Sequence, residues 1–218
     1  MNRGLFISCE GLDGAGKSTS IRYVIDGLKR RGFDVVLTRE PGGTEVGERI
    51  RELLLHNEMD QTTQALLMYA ARAQHVAEVI RPALQAGKCV VCDRFEDSSY
   101  AYQGGGNGMD IRQLDTLSHL VLGQGDERLE PDYTWFFDVT VEVAKTRLAA
   151  TRDMDVFERR GEDYFTRVRD TYLGRIQVQP ERFRTVDSTM PLEDVAATIE
   201  SQLAELFGRP TEQERPRA

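Results

Sequence analysis

The sequence has few cysteines, no long apolar run and no excess of basic residues. Its 3 cysteines among 218 residues are odd in number and lack the spacing of zinc ligands, so we expect buried thiols rather than disulfides or a zinc site. No apolar run approaches the ~18 residues that a transmembrane helix needs, and no signal peptide is visible. These absences predict a cytoplasmic protein without a membrane partner.

The charge balance is acidic. The chain carries 36 Asp and Glu against 28 Lys and Arg, a formal net charge of −8. A surface of this sign repels phosphate backbones, so we expect no nucleic acid polymer as a partner. An anionic small molecule would need locally clustered arginines. Hydrophobic residues make up 40% of the chain, which is typical of a folded globular protein.

A glycine-rich segment lies between an apolar run and a helical pattern near the N-terminus. The segment reads Gly11-Leu12-Asp13-Gly14-Ala15-Gly16-Lys17-Ser18-Thr19 and contains the pattern G-x-x-x-x-G-K-[ST]. Its glycines allow backbone N–H groups to surround phosphate oxygens. Lys17 is expected to reach the β- and γ-phosphates, and Ser18 a Mg²⁺ ion. The pattern predicts a nucleoside triphosphate site; the alternative is a glycine-rich turn without a ligand.

Apolar, strand-like segments alternate with helical patterns along the chain. Strands are predicted at residues 5–9, 34–38, 88–92, 133–138 and 182–186. Helices are predicted from the glycine loop to residue 31 and at 45–55, 62–86, 96–103, 111–122, 141–150, 163–177 and 192–207, with Thr62 or Thr63 as the cap of the third. This alternation predicts an α/β fold whose five-stranded parallel sheet is flanked by helices on both faces. We expect a single domain at 1–207 with a mobile loop at about 150–160, and a flexible tail at 208–218.

Polar residues follow two of the predicted strands, at the sheet edge where ligands of such folds bind. Asp93 and Arg94 end the third strand, and Arg39 and Glu40 end the second. A carboxylate beside a glycine loop can complete the shell of a Mg²⁺ ion, and the planar fork of Arg94 suits a second phosphate. Asp93 could instead cap a helix, and Arg94 could form a surface ion pair. Arg39 and Glu40 could also pair with each other.

Two pairs at i, i+4 spacing would lie on single helix faces. Met68 and Arg72 form one pair, and Ser99 and Gln103 form the other. Each pair sets a contact surface beside a hydrogen-bonding group, as recognition of a planar base requires. Ordinary core packing or a solvated helix face is the alternative for both pairs.

The sequence resembles the thymidylate kinase family over nearly its whole length. The matching segments are the glycine loop, Thr38-Arg39-Glu40-Pro41-Gly42-Gly43-Thr44, Ala70-Ala71-Arg72, Asp93-Arg94-Phe95 and Ser98-Ser99-Tyr100-Ala101-Tyr102-Gln103-Gly104. The resemblance implies a P-loop nucleoside-monophosphate-kinase-like fold and a homodimer. It implies Mg²⁺-dependent transfer of the γ-phosphoryl group of ATP to thymidine 5′-monophosphate (dTMP), giving thymidine 5′-diphosphate on the route to dTTP.

The resemblance also implies roles at the sugar and phosphate of the acceptor nucleotide. Asp13 would face the sugar, and Tyr102 would crowd its 2′ position and favour deoxyribose. Arg94 and Arg39 would hold the phosphate with Glu40 nearby, and Arg51 would line the site from the following helix.

At the base, the resemblance implies that Arg72 binds a thymine carbonyl while Ser99 and Gln103 face the base edge. The family commonly has a phenylalanine stacked on thymine four residues before this arginine, where this chain has Met68 followed by Tyr69. A thioether can pack on a ring face, so Met68 or Tyr69 would stack on the base.

The residues expected to act on the transferring phosphoryl group come from the glycine loop, the strand ends and a lid. They are Lys17, Arg94, Glu40, Arg152, Arg159 and Arg160. The glycine loop contains no arginine, which in the family accompanies lid arginines of the bacterial type. The usual aspartate-arginine step of the lid reads Asp155-Val156 here, so any of the three lid arginines could act on the phosphoryl group. Each of them could instead belong to a solvated run of charged residues.

Two other functions fit parts of the pattern. The chain could be another P-loop nucleoside monophosphate kinase, acting on cytidylate or guanylate. It could also be a nucleotide-switched binding module, which would hydrolyse its triphosphate slowly without any acceptor.

Overall fold

The computed structural model describes residues 3–149, 156–157 and 160–210. Within them, five strands form one parallel sheet in the order β2-β3-β1-β4-β5. The strands are β1 Phe6–Glu10, β2 Val35–Arg39, β3 Cys89–Asp93, β4 Tyr133–Asp138 and β5 Phe183–Asp187. The predicted α/β fold is confirmed, and each strand lies within about one residue of its expected bounds.

Helices cover both faces of the sheet. They are α1 Lys17–Lys29, α2 Glu45–His56, α3 Gln61–His75, α4 Arg81–Gln85, α5 Glu96–Ser99, α6 Ile111–Leu122, α7 Val141–Ala149, α8 Glu162–Val178 and α9 Leu192–Phe207. Ile7 and Val91 point to the side on which α1 and α9 pack. Phe6 and Val90, one residue away, point to the side on which α4 and α6 pack. The alternation of side chains along each strand thus feeds two apolar layers.

The segment predicted as one helix at 62–86 is divided by a wider turn. The carboxylate of Asp60, rather than Thr62 or Thr63, caps α3 by accepting hydrogen bonds from the backbone N–H groups of both threonines. A π-helical turn at Val76–Ile80 then joins α3 to α4. It ends two residues before Pro82, which cannot donate the hydrogen bond of a regular α-helix.

The three cysteines match their expected role. Cys9, Cys89 and Cys92 are free and buried in β1 and β3. Burial raises the pKa of each of these thiols above its ordinary value. In the part of the chain that the structure describes, no helix has both the length and the apolar character needed to cross a membrane.

Candidate active site

The glycine loop (residues 11–18) is packed too closely for side chains at two of its positions. Gly11 has a φ of +146°, and a Cβ there would lie 2.5 Å from the carbonyl oxygen of Phe137. Gly14 has a φ of +82°, and a Cβ there would lie 2.3 Å from the carbonyl oxygen of Ala144. Both positions therefore need glycine, for backbone conformation and for space. The loop ends at the start of α1, whose dipole adds positive charge where phosphates would lie.

Lys17 is held over this loop by backbone oxygens. Its Nζ donates to the carbonyl groups of Gly11 at 3.4 Å and Leu12 at 3.3 Å. The side chain is buried, and this burial, together with the charge of Arg94, lowers the pKa of Lys17. Two carbonyl oxygens are weak partners for an ammonium group, so Lys17 is positioned to exchange them for phosphate oxygens.

A cavity, called the strand-end cavity below, lies where β2 and β3 end beside α1. Its lining includes Ser18, Thr38, Arg39, Glu48 and Asp93. Arg39 and Asp93 are paired across the parallel strands, which brings them to the same edge. The guanidinium of Arg39 donates to Glu48 at 2.8 Å and not to Glu40, its neighbour in sequence. Arg39 is therefore anchored to α2.

The strand-end cavity offers donors that suit a Mg²⁺ ion. The Oδ1 atom of Asp93 is buried and has no hydrogen-bond partner among the described residues. Ser18, whose hydroxyl is the other expected donor, lines the same cavity. The described residues contain no group of three or more His, Cys, Asp or Glu that could hold a metal on their own. Mg²⁺ is commonly bound by one or two side chains together with substrate phosphates, and these two donors fit that mode.

Arg94 joins the end of β3 to the glycine loop. One of its nitrogens donates to Asp13 Oδ1 at 2.5 Å and to the Tyr102 hydroxyl at 3.1 Å. The Tyr102 hydroxyl in turn donates to Asp13 Oδ2 at 2.8 Å. Burial acts to raise the pKa of the Asp13 carboxyl, but the charges of Arg94 and Lys17 outweigh it and lower the pKa to about 2. Arg94 itself has a φ of +68°, a strained conformation for a residue with a side chain.

A buried carboxylate beneath Arg94 was not anticipated from the sequence. Glu10 accepts hydrogen bonds from the Phe95 N–H at 2.7 Å, the Ser98 hydroxyl at 2.6 Å and the Tyr172 hydroxyl at 2.9 Å. Burial and then the charge of Asp97 raise the pKa of Glu10 to about 7. A glutamate inside an apolar strand directly before a glycine loop is the signal that could have identified it.

The main pocket opens beside the glycine loop and encloses about 700 Å³, including the part that is open to solvent. This is within the range of small-molecule sites. Most residues predicted to contact an acceptor nucleotide line it: Asp13, Glu40, Arg51, Met68, Arg72, Arg94, Ser99, Tyr102 and Gln103. Pro41, Leu55, Phe95, Ser98 and Phe157 also line it and were not singled out. Arg39 lies in the strand-end cavity instead.

The two stacking candidates occupy different environments. Met68 is half-buried and lines the main pocket. Tyr69 lies on another face of α3, buried in a cluster with Tyr100 and Leu114. Its ring centroid is 4.8 Å from the Arg72 guanidinium, so Tyr69 supports Arg72 from outside the pocket.

Arg72 and Glu40 form a buried ion pair in the wall of the main pocket. Arg72 Nε donates to Glu40 Oε2 at 2.7 Å, and Arg72 Nη2 donates to the Phe95 carbonyl at 3.0 Å. Both side chains are about 5% exposed or less. The third nitrogen, Nη1, is buried and has no partner among the described residues. The pocket therefore contains a fixed cationic donor whose hydrogen-bonding capacity is not used up.

The predicted lid falls mostly outside the described residues. The structure does not describe residues 150–155, which include Arg152, or residues 158–159, which include Arg159. Arg160 is described and exposed, with its guanidinium 5.7 Å from the ring centroid of Tyr164. Phe157 lines the main pocket, with its ring centroid 6.5 Å from that of Tyr102. Phe157 thus contributes to the pocket wall.

Comparisons with known proteins point to one family. A family model described as thymidylate kinase matches residues 9–199. Thymidylate kinase from Cupriavidus taiwanensis is 50% identical over 204 residues, covering 93% of this chain and 98% of that protein. The one from Methylobacillus flagellatus is 50% identical over 197 residues, covering 90% and 95%. A crystal structure of thymidylate kinase from Ehrlichia chaffeensis has 31% identity and a TM-score of 0.74, covering 94% of this chain and 98% of that one.

Proposed function

The chain belongs to the thymidylate kinase family, and from this membership we propose how its two cavities divide the reaction. The enzyme transfers a phosphoryl group from ATP to dTMP. In our proposal the main pocket holds dTMP and the glycine loop holds the phosphates of ATP. The observation that carries it is the position of Arg94 and Asp13: both line the main pocket, and Arg94 is hydrogen-bonded to Asp13 of the glycine loop.

In the proposed acceptor site, charged side chains bind the phosphate of dTMP, and hydrogen-bonding groups bind its sugar. Arg94 binds the phosphate of dTMP from the end of the sheet, and Arg51 adds positive charge from α2. Arg39, which lines the strand-end cavity, would have to leave Glu48 to reach that phosphate. The Arg51 side chain donates to the Pro41 carbonyl at 3.0 Å, which keeps it along the pocket wall. Asp13 accepts from the sugar hydroxyl, and Tyr102 fills the space that a 2′-hydroxyl would need. The paired charges of Arg94 and Asp13 support this arrangement.

At the base, Arg72 donates Nη1 to the 4-carbonyl of thymine. Ser99 and Gln103 face the base edge from α5 and the following π-helical turn at Tyr100–Gly106. Met68 packs on the ring face. A cytosine would present an amino group where thymine has its 4-carbonyl, and an amino group cannot accept from a guanidinium. The free Nη1 atom therefore favours dTMP over cytidylate.

On the donor side, residues 11–19 surround the β- and γ-phosphates of ATP with backbone N–H groups. Lys17 leaves the two carbonyl oxygens to contact the phosphates. Ser18 and Asp93 are the residues that would hold Mg²⁺, which neutralises charge on the phosphates when it is bound. Asp93 has a buried oxygen available for this role.

Phosphoryl transfer needs alignment and neutralisation of charge rather than a covalent nucleophile. Lys17 and Arg94 flank the place where the two nucleotides meet. Glu40 contributes by holding Arg72 in the pocket wall. We assign Arg152, Arg159 and Arg160 to a lid whose closure adds positive charge and excludes water.

We also propose a single catalytic domain at 1–207 with a lid at about 150–160 and a flexible tail at 208–218. A homodimer in the cytoplasm is proposed from the family resemblance. Light scattering on the purified protein tests the dimer, since a monomer mass would contradict it.

The acceptor is tested with a coupled assay of ADP release across dTMP, dCMP, CMP and GMP. We expect rapid turnover with dTMP and weak turnover with the others. Equal or faster turnover with cytidylate or guanylate would contradict the proposed pocket. Slow ATP hydrolysis that no monophosphate accelerates would instead favour a nucleotide-switched module.

A further inference from the structure

His75 is a buried histidine that joins three parts of the site without lining the main pocket. Its side chain is 0% exposed. Nδ1 is 2.9 Å from Glu40 Oε1, and Nε2 is 2.6 Å from the Thr38 hydroxyl. The ring also packs on the loop after β2, because a Cβ on Gly43 would lie 2.7 Å from it. His75 therefore connects α3, the end of β2 and the loop that contains Glu40.

The two oxygens of Glu40 serve different partners. Oε2 accepts from Arg72 Nε, and Oε1 is engaged by His75 Nδ1. A carboxylate paired with arginine acts as an acceptor, so Nδ1 carries the proton of the imidazole. Nε2 and the Thr38 hydroxyl form the second hydrogen bond of the ring. With a partner at each nitrogen, the ring has one orientation.

We propose that His75 is a positioning residue for base recognition, acting through Glu40 to hold Arg72 with Nη1 directed into the main pocket. The proposal rests on the base-binding role of Arg72 proposed above.

The ion pair between Glu40 and Arg72 could adopt a different geometry if His75 did not hold Glu40. Nε and Nη2 of a guanidinium lie on one edge, and a carboxylate with both oxygens available prefers to bind that edge in a bidentate manner. Here Glu40 binds Arg72 through Oε2 and Nε, while His75 holds Oε1 and Nη2 donates to the Phe95 carbonyl. Without the His75 donor, Oε1 would compete for Nη2. The guanidinium would tilt, and Nη1 would leave its direction toward the base.

Two variants of His75 separate positioning from simple packing. The amide nitrogen of asparagine is placed near the position of Nδ1, so His75→Asn keeps a donor for Glu40. The amide nitrogen of glutamine is placed near Nε2, so His75→Gln reaches Thr38 and leaves Oε1 without its donor. Both substitutions put a polar amide into the same buried space. A role in packing alone would affect the two variants alike.

The experiment measures kcat and KM for dTMP and for ATP, together with the ratio of kcat/KM between dTMP and dCMP. For His75→Gln we expect a rise in the KM for dTMP of up to about 100-fold, since small misplacements of binding groups have effects of this size. The KM for ATP should stay unchanged, and the preference for dTMP over dCMP should fall. His75→Asn should retain most of the wild-type selectivity. His119→Gln, an exposed histidine on α6, serves as the matched control and should match the wild type.

Three results would overturn the proposal: an unchanged KM for dTMP in His75→Gln, equal shifts for dTMP and ATP, or equal losses in the two His75 variants. If His75→Gln does not fold, Thr38→Val removes the partner of Nε2 and should raise the KM for dTMP by a smaller factor. An unchanged KM there would also overturn the proposal. The base-binding role of Arg72 is tested separately by Arg72→Leu: if that variant keeps its selectivity, the proposed function of Arg72 is wrong whatever His75 does.

Discussion

Arg94 and Asp13 form an ion pair at 2.5 Å that closes the gap between the end of β3 and the glycine loop. The pair is partly buried, with side-chain exposures of 15% and 26%. The two residues are 81 positions apart in sequence, yet their contact joins the proposed acceptor pocket to the proposed phosphate site. Because both charges are already in place, ligand binding need not bring them together.

Lys17 is the first position to test. We expect Lys17→Ala to reduce kcat by about 100-fold or more, the scale of losing a group that stabilises charge in the transition state. The fold should be retained, because the Lys17 ammonium contacts only carbonyl oxygens among the described residues. Steady-state kinetics and circular dichroism check both points. Lys29→Ala, on the exposed face of the same helix, is the control. Wild-type turnover in Lys17→Ala would refute the assignment.

Arg72→Ala should weaken the binding of dTMP far more than the binding of ATP, because Arg72 lines the main pocket and not the glycine loop. It should also destabilise the protein by about 3–5 kcal/mol, since it leaves the buried Glu40 carboxylate without its charged partner. Nucleotide titrations by calorimetry and chemical denaturation measure the two effects. The exposed Arg49→Ala is the control. Equal losses for both nucleotides would remove the role of Arg72 in base recognition.

The roles of Met68 and Tyr69 can be separated by a pair of substitutions. Met68→Ala should raise the KM for dTMP, because Met68 lines the main pocket. Tyr69→Phe should leave KM unchanged and stability unchanged or higher, since the buried Tyr69 hydroxyl has no partner among the described residues. Kinetics and thermal unfolding measure both. A larger KM effect in Tyr69→Leu, which removes the ring, than in Met68→Ala would reverse the assignment.

Asp97 should make the stability depend on acid pH. Burial acts to raise the pKa of Asp97, but Arg175 and Arg182 outweigh it and lower the pKa to about 2. An unfolded aspartate titrates near pH 4, so ionised Asp97 contributes about 2 kcal/mol above that pH and progressively less as the pH falls toward 2. Asp97→Asn should therefore be less stable than the wild type at pH 7.

The difference in unfolding free energy between Asp97→Asn and the wild type should shrink between pH 4 and pH 2. Denaturant unfolding at a series of pH values measures it, with the exposed Asp26→Asn as the control. A difference that stays constant across this range would contradict the ion-pair explanation.

Gly14 and Gly87 have similar backbone conformations but different surroundings. Their φ angles are +82° and +76°, and a Cβ at Gly87 would meet nothing within 4 Å. Gly87→Ala should cost about 1–2 kcal/mol, the conformational penalty alone. Gly14→Ala should cost more and weaken ATP binding, because its Cβ would displace the Ala144 carbonyl. Thermal unfolding and ATP titration compare the two. Equal effects would show that the close packing at Gly14 is unimportant.

Much of the site could be predicted where its residues follow one another in sequence. The glycine loop and the i, i+4 pair of Met68 and Arg72 are local patterns, and the structure brings Met68 and Arg72 to one pocket wall. Residues whose roles depend on distant partners were missed. Glu10 meets Tyr172 at a separation of 162 positions, and His75 meets Glu40 at a separation of 35. No spacing rule links such residues.

The sequence by itself determined the alternation of strands and helices and the position of the glycine loop, because hydrophobic period and glycine conformation act between near neighbours. Tertiary structure alone decided which charges meet. Arg39 is hydrogen-bonded to Glu48 on α2, whereas the adjacent Glu40 is hydrogen-bonded to Arg72 and His75. Arg39 is the last residue of β2 and Glu40 follows it, so what each side chain meets depends on the helices packed beside the end of the strand. These contacts between charged residues that are distant in sequence form the site.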